Sequence, residues 1–339
     1  LPGPVYLAPA VQAALGAKPI SHRAEDFSQL LERTKEMLCG LTGAPAVAIA
    51  MGSGTLANDL VAGQLAQIVG RGLILSNGEF GRRLVDHASR FNLNFDIAEV
   101  PWGESFVEGK IRDAIAQGEK KSWLWAVHAE TSTGVLNDMD MLKRLACEYR
   151  LALCLDCISS VGVVPCDLRG VAMASSVSGK GLRSMAGLAL VFHDQNLPPS
   201  TRTLPRYLDL CLYLAPGVPF TMPSNLVNAL NMSLETLDPD TRYKEVRETA
   251  DLLCRKLRDA GLRPLAAEVV RFPGAITIPL PRQVNAFAMG RVLTRKGWLL
   301  SYQSNYLIER NWIQICLLGH VEHSDLASLP DVLANGIND

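Results

Sequence analysis

The stretch Ser176-Val-Ser-Gly-Lys180-Gly-Leu-Arg183 follows an apolar, strand-like run, Gly170–Val177, and sets one lysine among small residues. From Leu151 to Leu190 the only charged side chains are Asp156, Asp167, Arg169, Lys180 and Arg183. Such surroundings predict a low-dielectric interior, which disfavours an ammonium group. A lysine whose pKa is lowered by desolvation suits a Schiff-base nucleophile. Lysines among small residues are ordinarily solvated surface charges, so the reading depends on what the chain gathers around this one.

Upstream of Lys180, short apolar runs alternate with helical periodicity. Phe27–Leu41 reads as an amphipathic helix and Ala46–Ala50 as a buried strand. That strand runs into Gly52-Ser-Gly-Thr-Leu-Ala-Asn58, and a helical pattern continues from Thr55 to Val69. A small-residue loop entering a helix presents unpaired N–H groups and the positive end of the helix dipole, which suits a phosphate. Taken alone, the same loop also fits a plain strand-to-helix turn. Further strands are predicted at Leu73–Ser76, Ile97–Val100, Ser122–Val127 and Ala152–Asp156, with helices over Gly81–Phe91 and Met139–Arg150. This alternation predicts an α/β fold with a mostly parallel sheet flanked by helices. Ligands of such sheets collect at the carboxyl ends of the strands. Ser53, Asn77, Glu130, Asp156 and Lys180 all fall at predicted strand ends or in the loops after them.

At its two ends the chain has a different texture. Pro2, Pro4, Pro9 and Pro19 predict an extended N-terminal arm over residues 1–20. Prolines at 198, 199, 205, 216, 219 and 223 mark Gln195–Pro223 as a long connection. Helices over Ser224–Leu237 and Thr241–Ala260 follow. The tail then reads as strand (Val269–Pro279), helix (Asn285–Lys296), strands (Trp298–Ser301 and Trp312–Ile315) and a last helix (Ser324–Ala334). The expected organisation is an arm at 1–20 associated with the small domain, a large domain at 21–235, and a smaller α+β domain at 236–339.

Composition excludes little but is consistent with an enzyme. At 339 residues, with 48% hydrophobic and 20% charged residues, the chain exceeds one typical core. A formal net charge of -1 gives no reason to expect nucleic acid or an anionic membrane as partner. No apolar run approaches the roughly 20 residues that span a bilayer. The opening Leu1-Pro-Gly-Pro-Val-Tyr6 shows neither an initiator Met nor a leader pattern, and a few preceding residues are expected. Eight cysteines in a chain this long do not make a small-domain disulfide framework, so a reducing cytoplasm is the expected home. Cys154 and Cys157 have C-x-x-C spacing, but residues three apart on a strand face opposite ways. No metal ligand is assigned.

Taken together, the motifs resemble the class V branch of fold-type I enzymes dependent on pyridoxal phosphate (PLP). This branch includes the alanine–glyoxylate, serine–pyruvate and 2-aminoethylphosphonate–pyruvate aminotransferases. The resemblance covers nearly the whole chain: Pro2-Gly-Pro4, His22-Arg23, Gly52-Ser-Gly-Thr55, Ser76-Asn-Gly-Glu-Phe-Gly81, His128-Ala-Glu-Thr-Ser-Thr-Gly134, Asp156-Cys-Ile-Ser-Ser160, Lys180 and Leu317-Leu-Gly319. It implies PLP bound at Lys180, with Asp156 paired to the pyridine nitrogen. It implies phosphate held by Ser53, Gly54 and Thr55, Phe80 stacked on the ring, Thr131 near its 3-oxygen, and Ile158 on the opposite face. Thr221 matches a residue that reaches the neighbouring subunit's phosphate, which implies a homodimer with shared sites. Substrate contacts are implied at Gly3, Arg23 and Gln314.

Two departures from the family pattern stand out. Gly179 replaces a frequent phosphate-binding Gln. Gln314 replaces an Arg that pairs with the substrate carboxylate or phosphonate. Either Arg23, Arg183 or Arg310 compensates for that Arg, or the substrate differs. The implied activity is amino transfer from a small amino acid or aminophosphonate to pyruvate or glyoxylate, with the weaker features closest to the aminoethylphosphonate branch. A PLP-dependent lyase or desulfurase, the latter using Cys316, is the alternative. A third reading is a binding or regulatory module that has lost catalysis.

Overall fold

The computed structural model describes residues 3–195, 197, 204–215, 217–320, 326 and 328–338. Its strands are β1 (Ala46–Met51), β2 (Arg71–Ser76), β3 (Phe95–Glu99), β4 (Lys121–Val127), β5 (Ala129–Glu130), β6 (Val135–Leu136), β7 (Ala152–Asp156), β8 (Met173–Val177), β9 (Leu188–His193), β10 (Ala275–Pro279) and β11 (Trp312–Cys316). Seven of them form one sheet in the order β1-β9-β8-β7-β4-β2-β3. Only β9 runs antiparallel to its neighbours. The parallel strands are apolar along their length because helices cover both faces, and β7, β8 and β9 are almost wholly buried. Two apolar clusters occupy the two faces of this sheet. Cys154 belongs to one and Cys157 to the other, as opposite-facing strand positions require.

The predicted strands and helices before Lys180 all form, with ends shifted by a few residues, for example Glu25–Thr42, Gly54–Leu65, Glu79–Arg90 and Met139–Tyr149. Strand β9 and the helix Glu108–Ala116 were not predicted. Neither was the helix Pro9–Leu15, which replaces the expected extended arm. Its Pro9 stands in the first turn, where a missing N–H costs no intrahelical bond. Asn225 and Asn228, on the helix Ser224–Glu235, donate to the carbonyls of Leu15, Ala17 and Ala14 at 2.6–2.9 Å. The arm therefore lies along that helix, while Val5 packs into the C-terminal core.

In the C-terminal part, the helix Pro239–Asp259 and the β10–β11 ribbon enclose a separate apolar cluster. The strand expected at Trp298–Ser301 shrinks to a single bridge between Ser301 and Gln314. The last helix is Leu329–Asn338, and the predicted start at Ser324 lies outside the described residues. Among the described residues no helix is long and apolar enough to cross a membrane.

Candidate active site

The carboxyl ends of β1, β4, β7 and β8 open on one cleft, and most of the predicted site residues meet there. One cavity, of about 170 Å³, is lined by Gly54, Thr55, Asn58, Phe80, Arg83, Asp156, Ile158, Ser159 and Lys180, among others. A second, of about 470 Å³, is lined by Gly3, Ser53, Gly54, Phe80, Gly179 and Lys180, among others. Lys180 follows β8, and its Nζ donates to Ser159 Oγ at 3.0 Å and lies 5.5 Å from the centre of the Phe80 ring. Burial pulls the Lys180 ammonium below the ordinary lysine value, although Asp156 opposes the shift. The shift is in the direction of the uncharged, nucleophilic amine.

Asp156 ends β7. Its Oδ2 accepts from Asn58 Nδ2 and its Oδ1 from the Ile158 N–H, both at 2.9 Å. Asn58 is oriented in turn by Ser175, whose hydroxyl donates to Asn58 Oδ1 at 2.6 Å. Burial pushes the Asp156 carboxyl above its usual range, against the hydrogen bonds from Asn58 and Ile158. Among the described residues none forms an ion pair with it. A buried carboxylate without a cation is costly, and a protonated pyridine ring is a group that relieves that cost.

The phosphate end of such a cofactor also has a match. The helix Gly54–Leu65 starts in the cleft, and its cap, Ser53, makes no side-chain capping bond. Its first-turn N–H groups have no intrahelical acceptor. A Cβ at Gly54 would come within 2.7 Å of Ile158 Cδ1, so only glycine leaves this approach open. Gly179 has a comparable reason: a Cβ there would lie 2.7 Å from Ala186 Cα, which bars the larger residue of the family pattern.

Glu130 does not touch the cleft but fixes its Phe80 wall. Fully buried, it accepts from the N–H groups of Phe80 at 3.3 Å and Gly81 at 2.9 Å, at the start of the helix Glu79–Arg90, and also from the Ser132 hydroxyl. Burial raises its pKa to about 7, against the pull of those donors.

Several expected substrate contacts lie elsewhere. Gln314 is buried in β11, where its Nε2 donates to Thr131 O at 2.5 Å, Thr277 Oγ1 at 2.7 Å and Ser132 O at 3.3 Å. Its Oε1 accepts from Tyr306 OH at 3.3 Å. The amide is thus committed to tying the C-terminal ribbon to the Thr131 loop. Arg23 and Thr221 line a different groove of about 520 Å³ with Tyr207 and Phe220. Arg183 lines a third cavity near Tyr6 and His320, and Arg310 lies 3.8 Å over the Trp102 ring.

The cation that does line the Lys180 cavity is Arg83, which sequence reasoning did not single out. It lies 4.9 Å over the Phe80 ring, and its Nε donates to Glu79 at 3.1 Å. Asn58 and Ser159 stood inside quoted motifs without a role. Their signal was their spacing from the loop glycines and from Asp156.

Fold and cleft together resemble those of fold-type I PLP-dependent enzymes. The sequence matches no family model. It is 32% identical over 254 residues to a protein of Synechococcus sp. named soluble hydrogenase, small subunit, a match covering 71% of this chain and 66%, just under two thirds, of that one. It is 23% identical over 301 residues to a 2-aminoethylphosphonate–pyruvate transaminase of Bacillus mycoides, covering 84% of this chain and 82% of the relative. Among solved structures, an alanine–glyoxylate aminotransferase from Nostoc sp. superposes with a TM-score of 0.90 at 27% identity, over 99% of this chain and 94% of that one. In fold the chain is similar to the class V aminotransferases among fold-type I PLP-dependent enzymes.

Proposed function

We propose that the chain is a PLP-dependent aminotransferase that moves an amino group from a small amino acid or aminophosphonate to pyruvate or glyoxylate. The observation that carries this reading is the buried Asp156 carboxylate, held without a cation in the cleft that also holds Lys180. In this reading Ser53, Gly54 and Thr55 hold the cofactor phosphate, Phe80 and Ile158 flank its ring, Thr131 lies toward its 3-oxygen, and Asp156 keeps its nitrogen protonated. When bound, the cofactor supplies an electron sink for the bond broken at the substrate carbon. Lys180 takes the proton from that carbon and returns it, which its lowered pKa favours. Ser159 orients the amine. Arg83 offers the anionic substrate a charge-assisted hydrogen bond in place of the Arg that Gln314 has replaced. Gly3 closes the cleft beside Lys180.

Arg23 and Thr221 share a groove apart from Lys180, which supports a homodimer in which they serve the neighbouring subunit's site. A cytoplasmic home agrees with the eight free cysteines. The desulfurase alternative needs a cysteine on a mobile loop, and Cys316 is buried in β11. The name carried by the Synechococcus relative concerns hydrogen metabolism, in which the Lys180–Asp156 pair has no evident task.

An absorbance spectrum of the purified protein tests the reading, taken before and after alanine, 2-aminoethylphosphonate or serine. Loss of the visible band with one donor, and its return on adding pyruvate or glyoxylate, is expected. A band unmoved by every donor would favour the lyase or the non-catalytic reading, and no band after adding PLP would refute the site.

A further inference from the structure

Immediately past Asp156 the chain carries Cys157, whose N–H donates to Ser175 O at 2.9 Å on the neighbouring strand β8. On the other side of β7, His128 leaves the end of β4, and its N–H donates to Asp156 O at 2.9 Å. Cys166 comes back to this spot after the Ser159–Val164 turns. The three side chains are 0%, 4% and 6% exposed for Cys157, His128 and Cys166. One ligand atom from each lies within 4.8 Å of the other two, and Cys166 Sγ is 3.9 Å from His128 Nδ1. The partner of Cys157 is therefore not Cys154, its C-x-x-C neighbour, which packs on the opposite face of the sheet.

We propose that His128, Cys157 and Cys166 form a binding site for one zinc ion. Zinc bonds of about 2.3 Å to sulfur and about 2.0 Å to nitrogen in a tetrahedron put two sulfurs about 3.8 Å apart and a sulfur about 3.5 Å from a nitrogen. The observed 3.9 Å separation of Cys166 and His128 closes to that spacing by a few tenths of an ångström, within reach of rotations about the side-chain bonds. Two thiolates and a neutral imidazole around a divalent ion make a complex of zero net charge. A fully buried site tolerates that, whereas a buried thiolate alone is costly. A soft S₂N donor set selects zinc over magnesium or calcium, which take oxygen. Ser160 is buried beside the three ligands, its hydroxyl donating to Cys157 O at 3.3 Å, and that hydroxyl or a water takes the fourth position.

Binding releases the two thiol protons to solvent and changes no oxidation state. The ion would join the end of β4 to the residue after Asp156, clamping the strand ends beneath the cleft. The site does not depend on the aminotransferase reading, since no residue assigned to cofactor or substrate is a ligand.

The test is metal content of the PLP-loaded protein after exhaustive dialysis against metal-free buffer. About one zinc per chain is expected, falling to background in a C157A/C166A double variant that keeps its circular dichroism and visible cofactor band. Zinc-free protein that takes up none from a chromophoric zinc chelator would overturn the proposal. So would equal zinc in the double variant, or a peptide mass two hydrogens short that shows a Cys157–Cys166 disulfide. If the double variant does not fold, cobalt exchanged into the wild-type protein reads the ligand set directly. Thiolate-to-cobalt charge-transfer absorption is expected, and its absence overturns the site.

Discussion

Replacing Glu130 by Gln should flatten the pH dependence of stability. The Glu130 carboxyl is fully buried and titrates near 7 in the folded chain, against an ordinary value of 4.5. Below about pH 4.5 it is protonated in both folded and unfolded chains and contributes no pH dependence. Between about pH 4.5 and 7 the folded chain holds a proton that the unfolded chain has lost, so stability falls as pH rises through this window. At 1.36 kcal/mol per pH unit the ionised form is destabilised by about 3 kcal/mol once pH passes 7. Desolvation is the cause, and zero exposure leaves little solvent screening to discount it.

Glutamine keeps the shape of Glu130 but cannot ionise. It leaves one donor among Phe80, Gly81 and Ser132 poorly matched, a cost of about 1–3 kcal/mol that does not vary with pH. Urea unfolding of both proteins without cofactor, at steps from about pH 5 to pH 8, separates the two effects. Asp156 also titrates upward in both proteins, so the difference between their curves isolates Glu130. Wild-type stability should drop by about 2–3 kcal/mol more than that of E130Q over this range. Parallel curves would mean that folding does not raise the Glu130 pKa, which would refute desolvation as the dominant influence on this carboxyl.

The cleft makes further predictions. Lys180→Ala should lose both the visible cofactor band and turnover, as read by absorbance and by product formation. Asp156→Asn should cost about 3–5 kcal/mol of interaction with the cofactor, or about 10²- to 10⁴-fold in turnover; a loss under tenfold would remove Asp156 from its role. Arg83→Gln should raise KM for an anionic donor by about 10- to 100-fold, the scale of one charge-assisted hydrogen bond, with kcat within about threefold. Gln314→Ala should do the reverse. It leaves the carbonyls of Thr131 and Ser132 short of a donor and lowers stability by about 1–3 kcal/mol in denaturant unfolding, with little change in KM. A KM effect at Gln314 larger than at Arg83 would reverse the assignment of the anion contact.

Much of the α/β frame was legible because local pattern reports local burial. Ala152–Asp156 is apolar along its length because β7 is covered on both faces. The glycines at 52 and 54 announce a loop and a helix start, and the structure uses Gly54 as a close approach to Ile158. Strand β9 was not resolved because its run, Leu188–His193, lies in an apolar stretch whose divisions depend on sheet pairing. The helix Pro9–Leu15 was missed because proline content outweighed its small-residue pattern, and its stability comes from Asn225 and Asn228 some 210 residues away.

By itself, then, the sequence determined the alternation that builds the sheet and the placing of Lys180, Asp156 and the Gly52–Thr55 loop at strand ends. It determined also that Gln314 cannot carry the charge of the Arg it replaces. The tertiary structure alone decided that the Gln314 amide is spent on Thr131, Ser132 and Thr277. It alone brought Arg83 to the cleft and sent Arg23 and Thr221 to a separate groove. The same is true of the meeting of His128, Cys157 and Cys166. Periodicity along a chain encodes which face of an element is buried, whereas contacts between distant segments follow from sheet order. Here the pairing of β4 with β7 puts His128 beside Cys157, and no local pattern states that pairing.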